Sequence, residues 1–154
     1  MPLTFSKRKS LFPYQHEALL YSRQRSRVAL FMEMRLGKTL VCIRWLSNQT
    51  GPILVVAPVE ALSGWMDELQ GDGISSDRIR LLYGTKKQRL QELEFAPSNA
   101  WCLINYEGLR VVGKEIKDHQ WDAVVLDEST RIRNPKAGIT KYCLASFNNV
   151  QRKA

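Results

Sequence analysis

The sequence predicts an α/β fold whose central sheet is mostly parallel and covered by helices on both faces. Three observations carry this. Short apolar runs alternate with helix-like segments along the whole chain. A Gly-Lys-Thr, residues 37–39, sits where an apolar run meets an amphipathic stretch. A later apolar run, Val124-Val125-Leu126, ends in the adjacent carboxylates Asp127 and Glu128. Strands buried on both faces read as continuous apolar runs, and these do.

Taken in order, Pro13 suits the first turn of a helix through Tyr21, because its fixed φ is already helical and its missing N–H has no partner there anyway. Val28 to Met32 reads as a short buried strand and Lys38 to Asn48 as a helix. Gly51-Pro52 breaks the chain before a second strand, Ile53 to Ala57; Pro58 stops that strand, and Glu60 to Gln70 is helical. Gly71-Asp72-Gly73 makes a turn into a third strand, Ile79 to Tyr83. Thr85 and Gln88 have capping-box spacing and open a helix to about Phe95. Trp101 to Ile104 is a fourth strand and Ala123 to Leu126 a fifth.

A length of 154 residues suits one domain, residues 1–154, and 44% hydrophobic with 25% charged residues is ordinary for a soluble globular chain. The longest apolar run, Ile53 to Ala57, is far too short to span a bilayer, and the basic Ser6 to Ser10 segment leads into no signal-peptide core. A cytoplasmic protein is expected. Cys42, Cys102 and Cys143 are odd in number, widely spaced and set in apolar surroundings, which suits reduced core residues better than disulfides or a zinc site. The net charge of +8 gathers at the two ends: residues 1–27 hold six basic side chains against Glu17, and residues 131–154 hold six and no acid. Such patches suit a polyanion, with a DNA or RNA backbone the obvious one.

Gly-Lys-Thr between a strand and a helix is a phosphate cradle. The first N–H groups of the helix have no intrahelical acceptor and point outward, which favours an anion. Gly37 lets the backbone approach the phosphates, Lys38 brings an ammonium to the β and γ oxygens, and the Thr39 hydroxyl can ligate Mg²⁺. Arg35, Leu36 and Leu40 complete the stretch that would surround ATP; Met32 occupies the first glycine position of the full Walker A pattern. Val124 to Glu128 has the Walker B pattern. In a parallel sheet the carboxyl ends of the strands share one edge, which brings Asp127 beside Thr39 as a Mg²⁺ ligand and leaves Glu128 to orient or deprotonate the attacking water.

Read in order, these blocks resemble the first RecA-like lobe of superfamily 2 helicases, closest to Swi/Snf-like DNA translocases of phage or bacterial type. Leu11-Phe12-Pro13-Tyr14-Gln15 is similar to the Q motif, whose glutamine reads the adenine edge, so the resemblance assigns Gln15 to the base. Residues 53–69, "ILVVAPVEALSGWMDEL", are similar to motif Ia, and Asn105-Tyr106-Glu107-Gly108-Leu109 to the next block. In the family these loops line the nucleic-acid track, which implies Ser63 and Tyr106 as backbone contacts; Trp65 reads first as core. "VVLDESTRIRNPKA" resembles motif II with a basic extension, whose Arg131 and Arg133 join the track. Arg35 stands where many members carry glycine, and Ser129-Thr130 where many carry Ala-His.

The resemblance implies a RecA-like P-loop fold and an ATP- and Mg²⁺-dependent hydrolase of DNA-translocase type, with DNA or RNA and a second RecA-like lobe as partners. Lys38 and Glu128 would be catalytic. Members continue into a strand ending in a Thr-Gly-Thr-Pro-like motif III and then the second lobe, and neither follows here. A slot with unpaired backbone is therefore expected between the Walker A and Walker B strands, in a fragment or a strand-borrowing chain, with little or no turnover by the chain alone. Two rivals stand beside this: a non-catalytic module binding nucleic acid or protein, and a small P-loop kinase.

Overall fold

The computed structural model describes residues 8–30, 36–128 and 138–154, apart from the side chain of Leu144. The helices are α1 (Pro13–Arg23), α2 (Lys38–Leu46), α3 (Val59–Gly71), α4 (Lys86–Glu94), α5 (Gly108–Asp118) and α6 (Gly138–Phe147). The strands are β1 (Ile53–Ala57), β2 (Ile79–Leu82), β3 (Trp101–Asn105), β4 (Ala123–Leu126) and β5 (Arg152–Lys153). The sheet runs β2-β3-β1-β4-β5 with every pairing parallel.

Both faces of the sheet are covered. Every residue of β1 and β3 is buried, which accounts for their unbroken apolar sequences. Val55, Leu103 and Val125 face a core shared with Leu19, Ile43, Leu62, Trp65 and Leu69 from α1, α2 and α3. The alternate residues Leu54, Val56, Ile104 and Val124 face a second core with Leu109, Val112, Ile116 and Phe147 from α5 and α6. Leu90 and Leu93 of α4 pack against that second core. This is the three-layer α/β architecture expected from the sequence.

β1 and β4 occupy the predicted residues, and β3 extends one residue past its prediction. The capping box at α4 forms as its spacing implies: the Gln88 N–H donates to Thr85 Oγ1 at 3.2 Å and the Thr85 N–H to Gln88 Oε1 at 2.8 Å. Three expectations change. First, no strand covers the described part of Val28–Met32; Arg27 makes an isolated parallel bridge with Lys153, and the Val28 N–H donates to the Lys153 carbonyl at 2.9 Å. Second, the slot beside β4 is filled. β5 pairs with β4 on one side and bridges Arg27 on the other, and the Leu126 N–H donates to the Ala154 carbonyl at 2.7 Å. Among the described residues, β5 and Ala154 thus take up backbone groups of β4 on one side and of Ser26 and Val28 on the other. Third, α5 and α6 are additional helices. α5 buries Leu109, Val112 and Ile116 at helical spacing.

The three cysteines are free and buried, as expected. Burial pushes the Cys42 and Cys102 thiols up to about 12 and Cys143 to about 11. Reactivity belongs to the thiolate, so at pH 8 the folded chain should take up almost no thiol reagent in minutes and label at three sites once denatured. Mass spectrometry of quenched aliquots counts the labels; fast native labelling at any cysteine contradicts this burial.

Candidate nucleotide site

The cradle is built around Gly37, which caps α2 in the left-handed conformation at φ +73° with no side chain capping the helix. Any side chain here is strained by that φ, and a Cβ would also collide with Nε2 of Gln15. Gln15 is buried in α1; its Oε1 accepts the Phe12 N–H at 2.9 Å and its Nε2 donates to the Leu36 carbonyl at 3.0 Å. These contacts tie the amide to the helix start and to the cradle itself, and leave one N–H and one oxygen lone pair for a further partner. Beside it Phe12 and Tyr14 stack nearly parallel, ring centroids 5.7 Å apart, and both are exposed. An exposed aromatic pair next to a phosphate cradle offers a π-face to a planar ligand, and the sequence reading did not single it out. Lys38 and Thr39 are half-buried at the first turn of α2, and Leu40 is buried. Arg35 lies outside the described residues.

β4 delivers the second half. The Asp127 N–H donates to the Val56 carbonyl at 2.8 Å, so Asp127 stands level with the end of β1 at the carboxyl edge of the sheet. Its Oδ2 accepts the indole N–H of Trp65 at 2.8 Å, its Oδ1 the N–H of Glu128 at 2.9 Å, and its carbonyl the Tyr106 hydroxyl at 2.7 Å. Glu128 is exposed at φ +50°, the one described non-glycine residue with positive φ. Such a conformation costs of order 1–3 kcal/mol and persists where its surroundings over-determine it.

Cys42, one turn after Lys38 on α2, is raised first by burial, then by the Asp127 carboxylate, while the Lys38 ammonium opposes the shift. The donor set suits a hydrated divalent cation: a hydroxyl from Thr39, and a carboxylate whose oxygens each carry one hydrogen bond and keep lone pairs for water or metal.

The expected track residues divide. Ser63 is exposed on α3. Tyr106 is buried, and its hydroxyl donates to the Asp127 carbonyl. Trp65 is core, as read, but its indole N–H also reaches the site. Ser129, Thr130, Arg131 and Arg133 lie outside the described residues.

Comparison with known proteins agrees with this geometry. A model of the SNF2-related domain matches residues 14–153. The chain is 38% identical over 93 residues to mouse DNA excision repair protein ERCC-6-like 2, covering 60% of this chain and 6% of that protein. It is 32% identical over 130 residues to the human SWI/SNF-related matrix-associated actin-dependent regulator of chromatin subfamily A member 1, covering 78% of this chain and 12% of that protein. Its fold matches the Sulfolobus solfataricus SWI2/SNF2 ATPase core, solved in complex with dsDNA, with a TM-score of 0.72 at 24% identity over 95% of this chain and 31% of that one. The chain thus spans only a small part of the curated relatives it matches. These relatives are eukaryotic and the structure archaeal, which lends nothing to a phage or bacterial type. On the matched model and the sheet that carries the cradle, the chain belongs to the SNF2-related domain family.

Proposed function

We propose that residues 1–154 are the ATP-binding lobe of a nucleic-acid-dependent ATPase of translocase type, which turns over little ATP without a second lobe. The observation that carries this is that Asp127 ends β4 at the carboxyl edge of a parallel sheet, level with the end of β1, while Gly37 opens α2 in the left-handed conformation with no side chain capping its first N–H groups. Lys38 and the first N–H groups of α2 bind the β and γ phosphates, and Thr39 and Asp127 hold Mg²⁺. That ion, when bound, neutralises charge developing on the phosphoryl oxygens. Glu128 orients the attacking water and accepts its proton. The exposed ring of Phe12 or Tyr14 stacks on the base, and Gln15 holds the cradle from behind.

The transition-state charge calls for a cation from outside this lobe, by the same electrostatic logic that applies to phosphoryl transfer in general. DNA is the proposed track, in keeping with the basic ends of the chain and with the duplex bound to the Sulfolobus solfataricus core; Ser63, Arg131 and Arg133 are the proposed contacts. The 154-residue chain should bind a fluorescent ATP analogue in a Mg²⁺-dependent way while steady-state hydrolysis stays near background, with or without duplex DNA. Absence of nucleotide binding overturns the reading. DNA-stimulated hydrolysis at ordinary helicase rates keeps the site but overturns the need for a second lobe.

A further inference from the structure

We propose that Trp65 is a positioning residue for Asp127, setting the plane of the carboxylate that holds Mg²⁺, with Tyr106 fixing the same residue from its backbone side. The inference rests on the nucleotide reading above and deepens it. Asp127 has four polar handles besides its free lone pairs, and each is engaged. Its N–H goes to Val56, its carbonyl takes the Tyr106 hydroxyl, Oδ2 takes the Trp65 indole N–H, and Oδ1 takes the Glu128 N–H. A carboxylate is free to rotate about its last torsion. The Trp65 donor reaches Oδ2 from α3 and the Glu128 N–H reaches Oδ1 from the next residue, and together they restrict that rotation.

Packing alone does not explain the choice of partner. A buried indole N–H gains from an acceptor, and a backbone carbonyl serves: Trp121, also buried, gives its N–H to the Ile116 carbonyl at 2.8 Å, whereas that of Trp45 has no partner among the described residues. Trp65 spans instead from α3 to the end of β4, sixty-two residues away, and finds a carboxylate. Its ring is 2% exposed, wedged among the residues that bind α3 to the sheet, so the donor is held as rigidly as the core. Tyr106 comes from the turn after β3 in the same manner. The segments that follow β1 and β3 are thereby tied to the group that follows β4.

The test is a Mg²⁺ titration of fluorescent ATP-analogue binding to the 154-residue chain, with wild type, Trp65→Phe and Tyr106→Phe, alongside binding in EDTA and thermal melts without nucleotide. Phenylalanine keeps each ring and removes each donor. Trp65→Phe should raise the Mg²⁺ concentration for half-maximal binding roughly tenfold, the lower end of what outer ligand partners contribute. Tyr106→Phe should move it the same way, and binding in EDTA should not change. An unmoved Mg²⁺ midpoint in Trp65→Phe, whatever its melting temperature, overturns the positioning role. If Trp65→Phe does not fold, an unmoved midpoint in Tyr106→Phe overturns it instead. A wild-type chain that binds no nucleotide removes the reading beneath it; a wild type that binds normally beside indifferent variants sinks this inference alone.

Discussion

Replacing Lys38 with alanine should weaken Mg-ATP binding by roughly 10- to 100-fold while leaving the melting temperature of the nucleotide-free chain within about a degree or two. The range follows from a hydrogen bond to a charged group, about 1.5–3 kcal/mol when the partner is removed. Lys38 is half-buried at the first turn of α2 and lies near enough to Cys42 to act on its thiol, so its ammonium works beside the apolar core and is less screened than a surface charge. Stability is insulated because the burial around α2 comes from Val41, Ile43, Trp45 and Leu46, which the change leaves alone. Equilibrium binding of a fluorescent analogue, read at saturating Mg²⁺, separates the outcomes. Undiminished affinity would mean that the Gly-Lys-Thr merely begins a helix.

The second large effect concerns the scaffold. Trp101→Ala should cost about 3–5 kcal/mol, against a total of about 5–15 kcal/mol for a domain of ordinary stability. Trp101 is 1% exposed and sits level with Ile79 on one side and Ile53 on the other, with Ala123 beyond, in one row across the sheet. Removing the indole opens a cavity bordered by β-branched side chains, which have a stiff χ1 and relax little into it. Urea denaturation should show a lower midpoint at unchanged slope. Phe12→Ala is the control: that ring is 62% exposed and its loss should alter stability by less than about 0.5 kcal/mol. Comparable losses in the two variants would contradict the placement of the core.

The parts of this fold that were legible beforehand are those whose signal is local. β1 and β4 lie buried between helices, and burial on both faces leaves an apolar run with little ambiguity. The α4 capping box is a two-residue signal acting over one turn. β5 had no such signal. Its residues are Arg152 and Lys153, partly exposed, and what makes them a strand is the vacancy between β4 and Arg27, a property of the assembled sheet. α5 was legible and missed, since Leu109, Val112 and Ile116 carry the helical period.

The site divides the same way. Lys38, Thr39 and Asp127 announce themselves by neighbours in sequence, whereas the Trp65 and Tyr106 bonds to Asp127 bridge different elements and reveal themselves only in three dimensions. Gln15 shows the limit of reasoning from functional groups. Its amide satisfies two backbone groups, one at the start of α1 and one in the cradle, and neither partner is announced by the glutamine itself.

The bridge from Arg27 to Lys153 joins positions far apart in sequence. During synthesis a ribosome releases residues in order, so this lateral closure has to wait until residue 153 has cleared the exit tunnel. Until then the edge of β4 stays open beside the nascent segment around Arg27, and a chaperone or a neighbouring nascent chain can reach it.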